Sequence, residues 1–357
     1  MNNISNLIIL PLLASAAIVY FLTPSVIRLA KKKGLVDDPE KNKHPKVIHK
    51  RPIPRAGGLA IFLGVLVTTL IFLPLDKHLI GIILGMVILV TVGLLDDKYN
   101  LNPYLRLAMQ LIAACIPIAT GIGISFITNP FNGIVDLSNP QITFQFLGEM
   151  RSIWLLSDFF ALFWIVLMMN ILNMGAKGVE GQFPGVVAIA SITIAILSAK
   201  FSADITQWPV IILASIVTGA HLGFLPWNFS PQKIMPGFSG STLAGYLLAI
   251  LSILSTTKVG TLLVVLGVPL IDTGYTIIRR IISGKSPMWG DRGHLHHRLL
   301  DAGFSKTQTT FFYWGVTGIL GILALNLNAS YKLYTIIGVM ILVGGLLLFL
   351  TKKKSQI

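Results

Sequence analysis

LIGIILGMVILVTVGLL, residues 79–95, carries no charge along its length and stops at Asp96, Asp97 and Lys98. As a helix rising 1.5 Å per residue it reaches about 26 Å, close to the ~30 Å hydrocarbon core of a bilayer. The stretch therefore reads as a membrane crossing that delivers two adjacent carboxylates to the membrane edge. Runs of the same kind recur at 7–29, 59–75, 105–127, 153–173, 184–200, 208–227, 240–256, 259–280, 310–328 and 331–350. The expectation is an all-α polytopic transmembrane protein with about eleven membrane helices, one integral-membrane domain over residues 1–357. Pro269, inside the ninth run, predicts a kink.

Composition agrees. Of 357 residues, 54% are hydrophobic and only 12% charged, about half the charged share of a soluble domain. The formal charge is +14, but no basic stretch is interleaved with aromatics, so nucleic acid is not an expected partner. The single cysteine, Cys115, allows no internal disulfide. MNNISN lacks a positive n-region, so the first apolar run reads as a retained helix rather than a signal peptide. No internal repeat supports the inverted-repeat plan of many transporters.

Orientation follows from charge. With the N-terminus outside, 23 of the 28 lysines and arginines fall in cytoplasmic segments and the C-terminus is cytoplasmic. The positive-inside rule favours that arrangement. Five loops on that face hold the polar chemistry.

HKRPIPRAGG, residues 49–58, sets Lys50 and Arg55 in an irregular backbone; a basic loop touching lipid head groups is the plainer reading. Asp96 and Asp97 repel each other and favour a cation, magnesium among them, or pair with Lys98 as a solvated loop. In NILNMGAKGVEGQ, residues 170–182, Asn170 and Asn173 share a helix face. They suit a polar ligand or metal, or simply cap the helix. MPGFSGS, residues 235–241, could cradle phosphate at a helix start, or serve as a plain N-cap. GDRGHLHHRLL, residues 290–300, brings Asp291, Arg292, His294, His296, His297 and Arg298 together. The arginines would repel a dication but suit a diphosphate.

In order, TPSVIRLA, PIPRAGG, GLLDD, NxxN, GFLPWNF, PLIDT, RR and DRGHLHHRLLDAG cover the chain to about residue 305. Together they resemble the polyprenyl-phosphate N-acetylhexosamine-1-phosphate transferase family. The DRGHLHHRLL ending is similar to the branch using UDP-N-acetylglucosamine or a related UDP-sugar. The resemblance implies transfer of a sugar 1-phosphate, here GlcNAc-1-phosphate, to undecaprenyl or another polyprenyl phosphate. UMP is released, magnesium is the cofactor, and the product starts a cell-envelope glycan at the cytoplasmic membrane. It makes Asp96 and Asp97 catalytic, and Asp97 and Asn173 metal ligands. Lys50, Arg55, Asn170, Asn173, Glu180, Arg292, His294, His296 and His297 become substrate-binding candidates. UDP-sugar, polyprenyl phosphate and membrane lipids are the expected partners, with a homodimer left open.

Two motifs depart from the pattern. The family's MGDxGS becomes MPGFSGS, with Phe238 at a magnesium-binding aspartate. NxxNxxDGxDG loses its first aspartate, gains a residue and puts Glu180 near the second. Asp96, Asp97, Glu180 or Asp291 would have to supply the missing oxygen. An active transferase with a rearranged metal shell is the leading expectation. A non-catalytic relative binding lipid phosphate or nucleotide sugar is the second, and an anion transporter using His221 and Asp272 the third.

Overall fold

A computed structural model describes residues 2–40, 48–146, 149–255, 258–286 and 292–354. Among them the chain is built from helices α1 (Asn2–Lys33), α2 (Gly57–Phe72), α3 (Lys77–Tyr99), α4 (Pro103–Ala119), α5 (Leu155–Gly175), α6 (Gln182–Ala199) and α7 (Trp208–Asn228). These are followed by α8 (Gly237–Leu254), α9 (Lys258–Val265), α10 (Gly267–Ile282), α11 (Leu295–Asp301), α12 (Lys306–Ala324) and α13 (Ala329–Lys354). Seven of these helices are long and apolar enough to cross a membrane, and the α9–α10 pair, bent by 79°, makes an eighth candidate. Helices α2 and α4 are apolar but shorter. The chain is a multi-pass membrane protein.

Helix α8 is the axis. Almost all of its side chains are buried, with α2, α3, α5, α6 and α7 packed on it. Polar side chains tie its neighbours to it, as suits helices that cannot rely on expelling water. Tyr246 donates to the Ile82 carbonyl at 3.1 Å, and the Trp164 indole donates to Ser252 at 2.9 Å. The outer helices α1 and α13 leave large apolar side chains exposed, Phe21 at 75% and Leu342 at 74%, as lipid-facing surfaces do.

Proline accounts for two local features. Pro24 lies inside α1 rather than near its end and has no N–H for the Tyr20 carbonyl; Trp227 of α7 donates to that oxygen at 3.1 Å. Pro269 likewise cannot bond the Val265 carbonyl, and the chain turns at Leu266 between α9 and α10.

The all-α expectation needs one amendment. The fourth apolar run, expected to continue to residue 127, ends as a helix at Ala119. Beyond Gly121, which has φ +105°, the chain enters two antiparallel hairpins. They are β3–β4 (Phe126–Thr128 with Ile134–Asp136) and β5–β6 (Gln141–Phe146 with Glu149–Trp154), numbered after a short pair, β1 (Val36–Asp37) with β2 (Ile53–Pro54). The hairpins join the ends of α4 and α5 that lie away from Asp96 and Asn173.

Candidate active site

The short β1–β2 pair carries the first basic loop onto the start of α8. Met235 N donates to the Pro54 carbonyl, and the Gly57 and Gly58 N–H groups donate to the Met235 and Pro236 carbonyls. Helix α8 then opens at Gly237, whose φ of +73° places the backbone where a Cβ would lie 2.2 Å from Asp97 Oδ2. That contact explains the glycine.

Asp97 is the anchor of this junction. Its Oδ1 accepts from Phe238 N at 2.7 Å, and its Oδ2 from Ser239 Oγ at 2.8 Å and Ser239 N at 3.3 Å. Arg55 lies 3.5 Å from Oδ1. The free N–H groups that the sequence offered for phosphate are thus taken by a carboxylate of α3, a favourable partner for a helix N-terminus. Asp96 points the other way, accepting from Leu101 N at 3.0 Å with Arg106 3.4 Å from both oxygens.

Asp96, not Asp97, lines a cavity of about 380 Å³, a size suited to a small ligand. All five loops reach it. Arg55, Asp96, Asn170, Asn173, Glu180, Gly237, His294, His296 and His297 are on its wall, while Lys50, Asp97 and Arg292 are not. Lys50 is exposed, and Arg292 pairs with Asp301 at 2.9 Å. Asp291 lies outside the described residues.

At the end of α5, Asn170 donates to Gln110 at 3.0 Å. Asn173 Oδ1 accepts from Ser241 Oγ and from Lys177 Nζ, both at 2.8 Å. The Phe238 ring faces the Arg106 guanidinium, 5.0 Å from ring centre to charge. Glu180 is bonded by Lys306 at 2.8 Å. Burial alone would raise its pKa, but the Lys306 and Ser230 hydrogen bonds and the Lys306 charge outweigh burial and hold it below the usual range.

The histidine loop is held by Asp272 of α10. His294 Nδ1 lies 3.0 Å from one carboxylate oxygen and Leu295 N donates to the other at 2.7 Å. His296 is 4% exposed, and its Nδ1 has no hydrogen-bond partner. Burial, then the charges of His297, His294 and Arg292, pushes His296 well below its ordinary pKa, so it is neutral at pH 7. Arg298 ties the loop to α13, donating to Gly293 O, Leu347 O and Thr351 Oγ1. His221 sits elsewhere, bonded to Val217 O within α7.

Five cationic side chains (Arg55, Arg106, Lys177, Arg280 and Lys306) face three carboxylates, Asp37, Asp96 and Glu180, across the cavity. Such a lining attracts phosphates. Among the described residues it does not fit a divalent ion: no group of three His, Cys, Asp or Glu there could hold a metal. Asp96, Asp97 and Glu180 are each paired with a cation, and the oxygen of Asn173 is taken by an ammonium. Arg106, Gln110, Lys177 and Lys306 carry no site assignment in the sequence, and Arg280 enters it only as part of the RR motif. Lys177 left one signal, its place in NMGAKGVEG just ahead of a glycine.

The fold and cavity together define a multi-pass membrane protein with a cavity rich in cationic side chains at one end of its bundle. The sequence profile of glycosyl transferase family 4 matches residues 79–256, from the start of α3 to the end of α8. A Bacillus subtilis protein named "Probable undecaprenyl-phosphate N-acetylglucosaminyl 1-phosphate transferase" is 32% identical over 330 residues, covering 90% of this chain and 86% of its own. A decaprenyl-phosphate N-acetylglucosaminephosphotransferase of Mycolicibacterium smegmatis is 28% identical over 86% of this chain and 79% of its own. An undecaprenyl-phosphate alpha-N-acetylglucosaminyl 1-phosphate transferase of Haemophilus influenzae is 30% identical over 85% and 83%. The chain belongs to glycosyl transferase family 4. A short second match, to the LPXTG cell wall anchor motif, covers residues 328–356. No LPXTG sequence occurs there, only an apolar helix and a lysine tail.

Proposed function

We propose that this protein transfers an N-acetylhexosamine 1-phosphate, GlcNAc-1-phosphate first among them, from a UDP-sugar to undecaprenyl or a related polyprenyl phosphate. An oxygen of the lipid phosphate attacks the β-phosphorus of the UDP-sugar. The bond from that phosphorus to the bridging oxygen breaks, and its electrons leave with UMP. The observation that carries this reading is the convergence of five loops, distant in sequence, on one cationic cavity. The names of the relatives give the same reaction class.

The two reacting phosphates repel, so the protein must screen and align them. Arg55, Arg106, Lys177, Arg280 and Lys306 are placed for the first task. The Nδ1 of buried His296 and the Nε2 of buried His49, both on residues that line the cavity, have no hydrogen-bond partner within the protein. Among the described residues the expected magnesium finds no free carboxylate pair. The excess of basic residues in the loops around the cavity supports a cytoplasmic opening in a bacterial cell membrane. About eleven crossings would need the shorter α2 and α4, and α12, to cross beside the eight candidate spans.

One pair of residues favours a second reading. Phe238 and Lys177 stand where the family pattern has acids, which suits a relative that binds nucleotide sugar without turning it over. Purified protein in nanodiscs with radiolabelled UDP-GlcNAc and undecaprenyl phosphate separates the two. Labelled lipid plus UMP supports the transferase; saturable binding with no UMP from any UDP-HexNAc supports the second.

A further inference from the structure

Two acidic positions of the family pattern have changed together in this chain. If the extra residue of NMGAKGVEGQ is placed ahead of Lys177, then Lys177-Gly178 and Glu180-Gly181 fall on the two Asp-Gly pairs. Phe238 takes the acidic position of the other motif. Lys177 and Phe238, 61 residues apart in sequence, both line the same cavity.

Around the Lys177 ammonium the structure gathers oxygens from two elements. Asn173 Oδ1 at the end of α5 is 2.8 Å away, and the Gly237 carbonyl and Ser241 Oγ at the start of α8 are 3.3 and 3.5 Å away. Asn173 is the neutral residue that the resemblance offers as a metal ligand, and its oxygen also accepts from Ser241. Phe238 offers no oxygen and turns its ring to Arg106.

We propose that the Lys177 ammonium is a built-in cation standing in place of a divalent metal, so that this cavity binds phosphate without one. A divalent ion held by two carboxylates adds no net charge to a site. A lysine and a phenylalanine in the two acidic positions add one positive charge, so an incoming diphosphate meets no less attraction. A divalent ion brought to Asn173 would face the ammonium at close range, with the nearby carboxylates Asp96 and Asp97 already paired to arginines. The two longer contacts of the ammonium are those a phosphate oxygen could replace. The identity of the anion rests on the function proposed above; the exclusion of the metal does not.

The test uses full-length protein in nanodiscs and Mn²⁺ as the probe, followed by the electron paramagnetic resonance of the free ion. Wild type is expected to leave the Mn²⁺ signal unchanged, and the double variant Lys177→Asp/Phe238→Asp to deplete it stoichiometrically. Stoichiometric Mn²⁺ uptake by wild type overturns the proposal. Failure of a folded double variant to bind also overturns it, since these two residues would then not be what excludes the metal. Calorimetry with UDP-GlcNAc gives a second readout. Affinity is expected to agree within about twofold in EDTA and in Mg²⁺, and to fall about tenfold or more in Lys177→Met but not in Lys177→Arg. A gain of about tenfold or more on adding Mg²⁺ counts against the proposal. If UDP-GlcNAc binds under neither condition, the transferase reading fails, while the Mn²⁺ result still stands for or against the built-in cation.

Discussion

Asp97 invites the wrong mutation experiment, because loss of activity in Asp97→Asn looks like loss of a reactive group. In the structure its side chain is fully buried and its bonds run to the scaffold. An amide would keep an oxygen for Phe238 N and Arg55, but would turn an NH₂ group towards Ser239 N. Leaving that buried N–H unsatisfied costs about 1–3 kcal/mol. Losing the charge opposite Arg55, which is 20% exposed, adds at most about 1 kcal/mol after solvent screening. The total is about 3 kcal/mol, or roughly 5 °C in Tm for a chain of this size. In Asp96→Asn the longer Arg106 contacts, 3.4 Å, give an expected loss of about 1 kcal/mol. Thermal unfolding of both variants in nanodiscs, followed by tryptophan fluorescence and by size-exclusion recovery, provides the comparison. An Asp97→Asn protein with wild-type Tm and no UMP release would refute this reasoning and return Asp97 to the chemistry.

Three further outcomes follow from the histidine loop. His296 is neutral in the folded protein, its pKa depressed well below 6.5, so the unfolded chain takes up its proton first as pH falls. Stability is therefore lost below pH 6.5 by at most about 1.4 kcal/mol per unit, and Tm measured against pH should be flatter in His296→Gln. A Cβ at Gly178 would lie 2.3 Å from the His296 ring, so Gly178→Ala should weaken UDP-GlcNAc binding about tenfold by calorimetry; unchanged affinity would free His296 from the site. Asp272→Asn removes the charge that orients His294 and Leu295 N and should slow UMP release about tenfold or more.

The helices were legible because hydropathy sums over twenty residues, and each of the eleven apolar runs lies wholly or largely on a helix or on the bent α9–α10 pair. The overshoot at 120–127 came from GIGI, which is apolar enough to pass as helix; Ile122 and Ile124 are indeed buried, but beyond the helix end. The β5–β6 hairpin hid in a stretch too short and too polar to stand out beside membrane helices. At the site, the polar loops could be found from residue type, but not the direction in which each side chain points. A carboxylate capping α8 and one lining the cavity are neighbours in sequence, and only the meeting of α3 with α8 tells Asp97 from Asp96. The same holds for Lys177, one basic residue among the 23 expected on the cytoplasmic side, until Asn173 and Gly237 are brought beside it.

The most direct test is UMP release from UDP-GlcNAc and undecaprenyl phosphate by the purified protein in nanodiscs, run in EDTA. The function and site proposed here predict UMP and GlcNAc-diphosphate lipid in equal amounts, formed without added divalent ion. No UMP from any UDP-HexNAc, with or without Mg²⁺, would contradict the transferase reading outright.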